Sequence, residues 1–198
     1  MGNFVYIGGD PATREGFVVD PAFEPEKILA AAKKLGVDVN RVFLTHHHSD
    51  HVNGAMYIKA RAGAKILAHE GTERFLKGNV SIDQVVTDGE IIKLGKNLTV
   101  KIIHTPGHSP GGICLLVADK WLVTGDTLFI GNCGRTDLNG GDSRLLYESL
   151  KKIKALPDSL IIFPGHDYGP AKSRTLGEEK KLSPVLKAVA FEDFDALP

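Results

Sequence analysis

Short apolar runs bounded by glycine and proline recur along the chain, and between them lie segments whose apolar positions follow a helical repeat. Phe4–Ile7 and Gly16–Val19 read as strands joined by a turn holding Gly8, Gly9, Asp10 and Pro11. Pro25 and Glu26 open a helix through Leu35 that stops at Gly36, with Ile28, Leu29, Ala32 and Leu35 as its apolar stripe. Val42–Thr45 is a buried strand. A second helix starts in the polar segment after it and ends at Gly63, followed by a strand at Lys65–Ala68 and a short helix at Gly71–Leu76. From Gln84 the pattern turns strand-rich, with Val85–Val86, Ile91–Leu94 and Leu98–His104 divided by Asp88-Gly89 and Gly95-Lys96-Asn97. Leu98, Val100 and Ile102 make one face of the last of these apolar, while Thr99, Lys101 and Ile103 make the other mixed. Ile113–Ala118 and Trp121–Thr124 form a hairpin across Asp119-Lys120. Ser143–Lys154 reads as a helix, Leu160–Phe163 as a strand and Thr175–Leu182 as a helix. The chain thus divides into two halves, roughly 1–80 and 85–198, each a group of strands followed by flanking helices. Mixed sheets covered by helices on their outer faces are the natural solution, and the class is α/β.

The 198 residues fit one domain, 1–198. A chain of this length buries roughly 70% of the surface its unfolded form exposes, so it needs no staple to hold a core. Lysine and arginine number 24, and so do aspartate and glutamate, which leaves no net charge; a nucleic-acid partner requires a basic face, and the chain offers only short pairs such as Lys33-Lys34, Lys151-Lys152 and Lys180-Lys181, which read as solvated helix faces. Two cysteines, Cys114 and Cys133, are too few for a disulfide framework, and a reducing compartment is the default. Met1-Gly2-Asn3-Phe4 is not a basic stretch leading into an apolar run, and no apolar run is long enough to span a membrane. The expected location is the cytoplasm, with no membrane partner.

The segment His46-His47-His48-Ser49-Asp50-His51 changes this bland picture. Extended chain places residues i and i+2 on one side, so His46 and His48 point together and His47 faces away. A bend after Ser49 returns Asp50 and His51 to the same place. Four imidazole or carboxylate groups within six residues are costly to bury unpaired, and a divalent cation resolves that cost. Three further sites repeat one event, an apolar strand followed by a sharp glycine turn and a metal-binding residue. They are His108 in His104-Thr105-Pro106-Gly107-His108, Asp126 after Gly125, and His166 after Pro164-Gly165. Taken singly, Asp126 caps a turn and His166 donates to a carbonyl equally well. Together with the first cluster they point to one centre on loops held by a rigid sheet.

The segments Thr45–His51, His104–Gly112, Thr124–Phe129, Gly131–Asp137 and Pro164–Tyr168 closely resemble the metallo-β-lactamase superfamily, in its glyoxalase II-like and persulfide dioxygenase-like branches. The resemblance spans nearly the whole chain. It implies a four-layer αβ/βα sandwich, two mixed β-sheets face to face with helices outside. It also implies one metal held by His46, His48 and His108, a second held by Asp50, His51 and His166, and Asp126 bridging them. Seven ligands are too many for one tetrahedral zinc and suit two ions about 3.5–4 Å apart. Zinc leads, with iron and manganese tolerated by the same donors. The implied reaction is hydrolysis of a thioester or related ester by a metal-bound hydroxide, with Asp50 and Asp126 as catalytic residues and a small, glutathione-linked molecule as substrate.

Three residues are expected in the substrate pocket. Arg135 offers a planar fork for a carboxylate, its alternative partner being an acid of its own loop. By resemblance, Arg135 and Tyr168 touch a glutathione moiety, and Cys133 lies in the same loop. The rival reading in the dioxygenase branch is a single Fe(II) on His46, His108 and Asp126, oxidising a glutathione persulfide with dioxygen. Leu138 and Asn139 stand where the dioxygenases show phenylalanine and glutamine, which tilts the reading towards the hydrolases. Against glyoxalase II itself stand Asp137, where tyrosine is frequent, and about 30 residues after Tyr168, too few for the usual helical second domain. A third reading is a non-catalytic member that keeps the fold to bind metal or a partner. A homodimer covering the N-terminal sheet edge is compatible with the sequence.

Overall fold

The computed structural model describes residues 2–197; Met1 and Pro198, the limits of the expected domain, lie outside them. The first half runs β1 (Tyr6–Gly9), β2 (Glu15–Val19), α1 (Pro25–Lys34), β3 (Asp38–Phe43), α2 (Ser49–Val52), α3 (Ala55–Ala62), β4 (Lys65–His69), α4 (Glu70–Leu76) and β5 (Gln84–Val86). The second runs β6 (Ile91–Leu94), β7 (Leu98–His104), β8 (Ile113–Val117), β9 (Trp121–Gly125), α5 (Ser143–Lys154), β10 (Ile161–Pro164), β11 (Arg174–Thr175), α6 (Leu176–Leu182), α7 (Pro184–Lys187) and α8 (Phe191–Asp195).

Two mixed sheets result, as the alternation of elements implies. One has the order β1-β2-β3-β4-β5, with β1 antiparallel to β2 and the other neighbours parallel. The other has the order β11-β10-β9-β8-β7-β6, antiparallel except where β9 and β10 run parallel. The period of two along each strand builds the layers. Phe17, Val19, Phe43 and Leu67 meet Ile102, Leu115 and Val123 between the sheets. Their sequence neighbours Val18, Val42 and Ile66 face Ile28, Ala55 and Ile58 on the helices of the first half. Ile103, Cys114, Leu122 and Ile162 face Leu146, Leu150 and Leu176 on the other side. Three buried interfaces therefore separate four layers, helix, sheet, sheet, helix, which is the expected αβ/βα sandwich.

Several boundaries differ from the sequence expectation, each for a local reason. The single helix ending at Gly63 is two, because the amide of Gly54 turns away to donate to the carbonyl of Pro21 at 2.7 Å. The strand expected at Val42–Thr45 begins at Asp38 and ends at Phe43. Thr45 has left the ladder, its amide donating to the Asp20 carboxylate at 2.7 Å. The first strand is Tyr6–Gly9, so Gly8 and Gly9 belong to the ladder and not to the turn. In the β8–β9 hairpin the central residues are Ala118 and Asp119, both with φ 51°, one place earlier than read. The helices α7 and α8 went unread because each is barely one turn long; they press Val185, Leu186 and Phe194 onto α5. No helix of the described residues is long and apolar enough to cross a membrane.

Leu115 is fully buried between the sheets, where a cavity has no easy way to collapse. Leu115→Ala is expected to destabilise the fold by about 2–5 kcal/mol. Urea denaturation of the metal-free chain measures this.

Candidate metal centre

The ends of β3, β7, β9 and β10 deliver the polar groups to one edge of the sandwich. After Phe43 the chain leaves the sheet and runs through His46 and His48, with ring centroids 4.7 Å apart, into α2, which carries Asp50 and His51. His47 points away and lies against Phe75 at 4.4 Å, as its place in the alternation predicts. His108 stands on the turn beyond β7. Gly107 before it has φ 138°, and a Cβ there would come within 2.2 Å of the Leu146 amide, so only glycine lets the turn seat on α5. Gly165 before His166 is as constrained, since a Cβ would meet the Asp126 carboxylate at 2.2 Å.

All seven residues expected as ligands converge. Donor atoms of His46, His48 and His108 lie within 4.8 Å of one another, and so do those of Asp50, His51 and His166. Asp126 stands between the two groups. Its Oδ2 is 3.1 Å from His166 Nε2 and 3.7 Å from His108 Nε2, and its Oδ1 is 3.5 Å from His51 Nε2.

The hydrogen bonds on the far sides of the rings decide which nitrogens keep lone pairs. His108 Nδ1 faces the carbonyl of Arg135 at 2.7 Å; a carbonyl only accepts, so this nitrogen donates and Nε2 keeps its lone pair. The Thr45 hydroxyl donates to Asp20 Oδ2 at 2.6 Å and is left to accept from His46 Nδ1 at 3.1 Å. His46 Nε2 is then a buried lone pair with no partner among the described residues, as is Asp126 Oδ1. His51 Nδ1 donates to Asp20 Oδ2 at 3.0 Å. The inward nitrogens meet each other, His48 Nδ1 with His108 Nε2 at 3.0 Å and His51 Nε2 with His166 Nε2 at 3.2 Å. Lone pairs that close repel unless a proton or a cation lies between them. These residues therefore fit divalent metal, and the outward bonds of His46, His51 and His108 are those that fix the tautomer of a ligating histidine.

Asp20 was not singled out in the sequence. It is 3% exposed and accepts from the Thr45 amide, the Thr45 hydroxyl and His51, so its oxygens are committed to aiming the ligands. The signal was present, because Asp20 ends the apolar strand Gly16–Val19 as Asp126 ends another. Asn3 was also missed: its side-chain amide donates to the Asp50 carbonyl at 2.8 Å and to Asp50 Oδ2 at 3.1 Å.

A cavity of about 500 Å³ opens beside the centre, with His48, Asp50, Phe129, Leu138 and Tyr168 on its wall. The three expected substrate residues line it too, in altered roles. Arg135 is not a free fork: its Nε and one terminal nitrogen grip the Asp137 carboxylate at 2.5 and 2.6 Å. Cys133 is a half-buried thiol pushed up to about 12 by desolvation, hence no thiolate at neutral pH. Tyr168 lays its ring on His166, 4.5 Å between centroids and 3° from parallel.

The two histidine groups differ in charge. Burial, reinforced by neighbouring imidazoles, holds His46 well below the usual histidine range and brings His48 down to about 4. Burial likewise lowers His108. For His51 burial pushes the same way, but the bond to Asp20 and the charges of Asp20, Asp126 and Asp50 outweigh it and raise it to about 9.

Residues 1–166 match the family model described as the metallo-beta-lactamase superfamily, and the chain belongs to that superfamily. Within it the chain falls in the glyoxalase II-like branch. A hydroxyacylglutathione hydrolase of Polaromonas sp. is 37% identical over 169 residues, 84% of this chain and 62% of that protein. The hydroxyacylglutathione hydrolase GloC of Haemophilus influenzae is 34% identical over 189 residues, 86% of this chain and 87% of that one. The crystal structure of ETHE1 from Myxococcus xanthus superposes with a TM-score of 0.87 at 30% identity, over 100% of this chain and 88% of that chain. The chain spans 62% of the length of the Polaromonas enzyme.

In the metal-free chain at pH 7, His51 holds a proton that a cation must displace, whereas His46, His48 and His108 hold none. Zinc uptake at pH 7 is therefore expected to release about one proton from the His51 side, and its affinity there to rise with pH up to about 9 and then level off. Calorimetry in two buffers of different ionisation enthalpy counts that proton, and Asp20→Asn is expected to reduce the count. The sign for stability is opposite. The Asp20–His51 pair stabilises the metal-free fold fully below pH 6.5 and loses that contribution as pH rises through about 9.

Proposed function

We propose that this protein is a hydrolase of thioesters with two divalent metal ions, zinc in first place, in the manner of the hydroxyacylglutathione hydrolases it is similar to. The observation that carries the reading is the pair of three-donor groups, His46–His48–His108 and Asp50–His51–His166, joined by Asp126 beside an open cavity. When bound, the cations supply an acidified water and polarise the acyl carbonyl. The chain's own residues do the rest. Asp50, whose side chain is 21% exposed against 8% for Asp126, faces the cavity and accepts the hydrogen bond that orients the attacking water. Burial opposes its ionisation, but the bond from Asn3 and the charge of His51 prevail and keep it a carboxylate. Phe129 and Leu138 offer the acyl group an apolar wall. A thiolate leaves without help from a strong acid, since thiols ionise near 8.5. This suits a cavity whose thiol, Cys133, gives up its proton only at about 12.

The iron-dependent persulfide oxidation read for this branch would use His46, His108 and Asp126 alone. The group Asp50–His51–His166 would remain beside it without a second ion, so the two readings share their residues; Leu138 and Asn139, where the dioxygenases show phenylalanine and glutamine, favour the hydrolase. The metals, the location and any glutathione recognition belong to the same proposal.

Elemental analysis of protein purified without added metal is expected to find two ions per chain. Asp126→Ala is expected to lower kcat/KM for a thioester by at least about 10²-fold. One firmly bound iron, with oxygen uptake on a persulfide and no thioester cleavage, would overturn the proposal.

Asp137 is the departure from glyoxalase II that bears on substrate choice. By gripping Arg135 it offsets the one cation on the wall of the cavity. Asp137→Asn is expected to lower KM roughly two- to fivefold for a thioester bearing carboxylates, and to leave an uncharged thioester unaffected. Steady-state kinetics on the two substrates measures the difference.

A further inference from the structure

We infer that the segment Gly2–Phe4 is a strap that positions one of the two metal groups, Asp50–His51–His166, and that Asn3 is its positioning residue. The inference rests on the two-ion reading above.

The strap is built from both main chain and side chain. Asp167 donates its amide to the Gly2 carbonyl at 2.7 Å, and Phe4 donates to the Gly165 carbonyl at 2.9 Å, so the main-chain bonds flank His166 on either side. Asn3 and His166 face each other in an antiparallel bridge. From that anchored position the Asn3 amide reaches across to the other half of the fold. It donates both to the main-chain oxygen of Asp50, at 2.8 Å, and to its Oδ2, at 3.1 Å. Oδ2 is the carboxylate oxygen that looks at the two imidazoles, 3.5 Å from His166 Nε2 and 3.8 Å from His51 Nε2. One short segment thus ties together two ligands of the same group that come from opposite halves of the chain.

The arrangement is selective. No hydrogen bond from Gly2, Asn3 or Phe4 reaches His46, His48 or His108 among the described residues. Nor is it incidental packing. The amide is held in this orientation although its Oδ1 is left buried without a partner, a cost an apolar side chain would avoid. Both partners of the amide nitrogen are acceptors, which fixes its orientation. A carboxylate free to rotate about its last bond presents a ligand oxygen only part of the time, whereas one gripped beside its main chain presents it always.

The test is a zinc titration of the metal-free full chain by calorimetry, on the wild type, Asn3→Ala and the near-isosteric Asn3→Leu. The wild type is expected to bind in two steps. In both variants one step is expected to weaken by about 10–100-fold while the other is unchanged. The unchanged step reports that the variant is folded. A wild type that binds two ions and variants whose two steps are both unaltered, or both weakened alike, overturn the role of Asn3 and leave the two-ion reading standing. A wild type that takes a single ion overturns both.

Discussion

Imidazole nitrogens cannot satisfy one another once their protons are committed elsewhere. In this protein the outward nitrogens of His46, His108 and His51 are committed, to Thr45, the Arg135 carbonyl and Asp20. The inward ones are left pointing into a small buried space shared with Asp126. An isolated fold would gain by turning these rings apart. It does not, because each is fixed by a strand end and a turn that the core already determines. The stress at the sheet edge is therefore imposed by the four-layer packing, and a cation is what relieves it. His46 Nε2, Asp126 Oδ1 and His166 Nδ1 are buried without a hydrogen-bond partner among the described residues, and leaving such groups unpaired costs free energy, so the site is suited to positive charge.

That charge is received differently on the two sides. Around His46, His48 and His108 the rings are neutral, and outward bonds fix the tautomers of His46 and His108. Around His51 three carboxylates, Asp20, Asp50 and Asp126, gather close enough to keep the ring protonated when no metal is bound. The second side thus holds a proton in place of the cation, and its ligands are braced by Asp20 and Asn3 from outside the group. Two sites a few ångströms apart can in this way differ in affinity and in pH response while sharing a carboxylate.

Most of this was legible before the structure. Strand period puts Val18 in a different layer from Phe17 and Val19, and Ile102 in a different layer from Ile103, but pattern alone gave only mixed sheets covered by helices and left other α/β folds open; the four-layer sandwich came from the resemblance. The seven candidate ligands were legible for a related reason: each lies in or just beyond an apolar strand end, and glycine directly precedes three of them, His108, Asp126 and His166. Asn3 was not, since its role lies in bonds to a residue 47 places on, which no local pattern carries; Asp20 shows its place at a strand end but not its partners, the nearest of them 25 residues away. The break at Gly54 depended on a main-chain bond to Pro21, and the one-turn helices α7 and α8 were too short for a period. Arg135 shows the converse limit. The sequence names a residue that can bind a carboxylate, and only geometry tells that Asp137, two places on, is the carboxylate it binds.

The same pair bears on what the cavity admits. A glutathione-like thiol carries carboxylates, and a wall whose one arginine is already neutralised gives such a group little reason to settle there. Tyr168, stacked flat on His166, and Phe129, edge-on to it, instead give the cavity an aromatic floor next to the reacting edge. Binding energy on this surface comes from area and not from charge, and it falls on the parts of a substrate nearest the scissile bond. Discrimination then depends on the acyl side more than on the thiol. On the thioesterase reading proposed above, that is a physical route by which a chain on the glyoxalase II-like frame would take thioesters of broader thiol identity without changing a single candidate metal ligand.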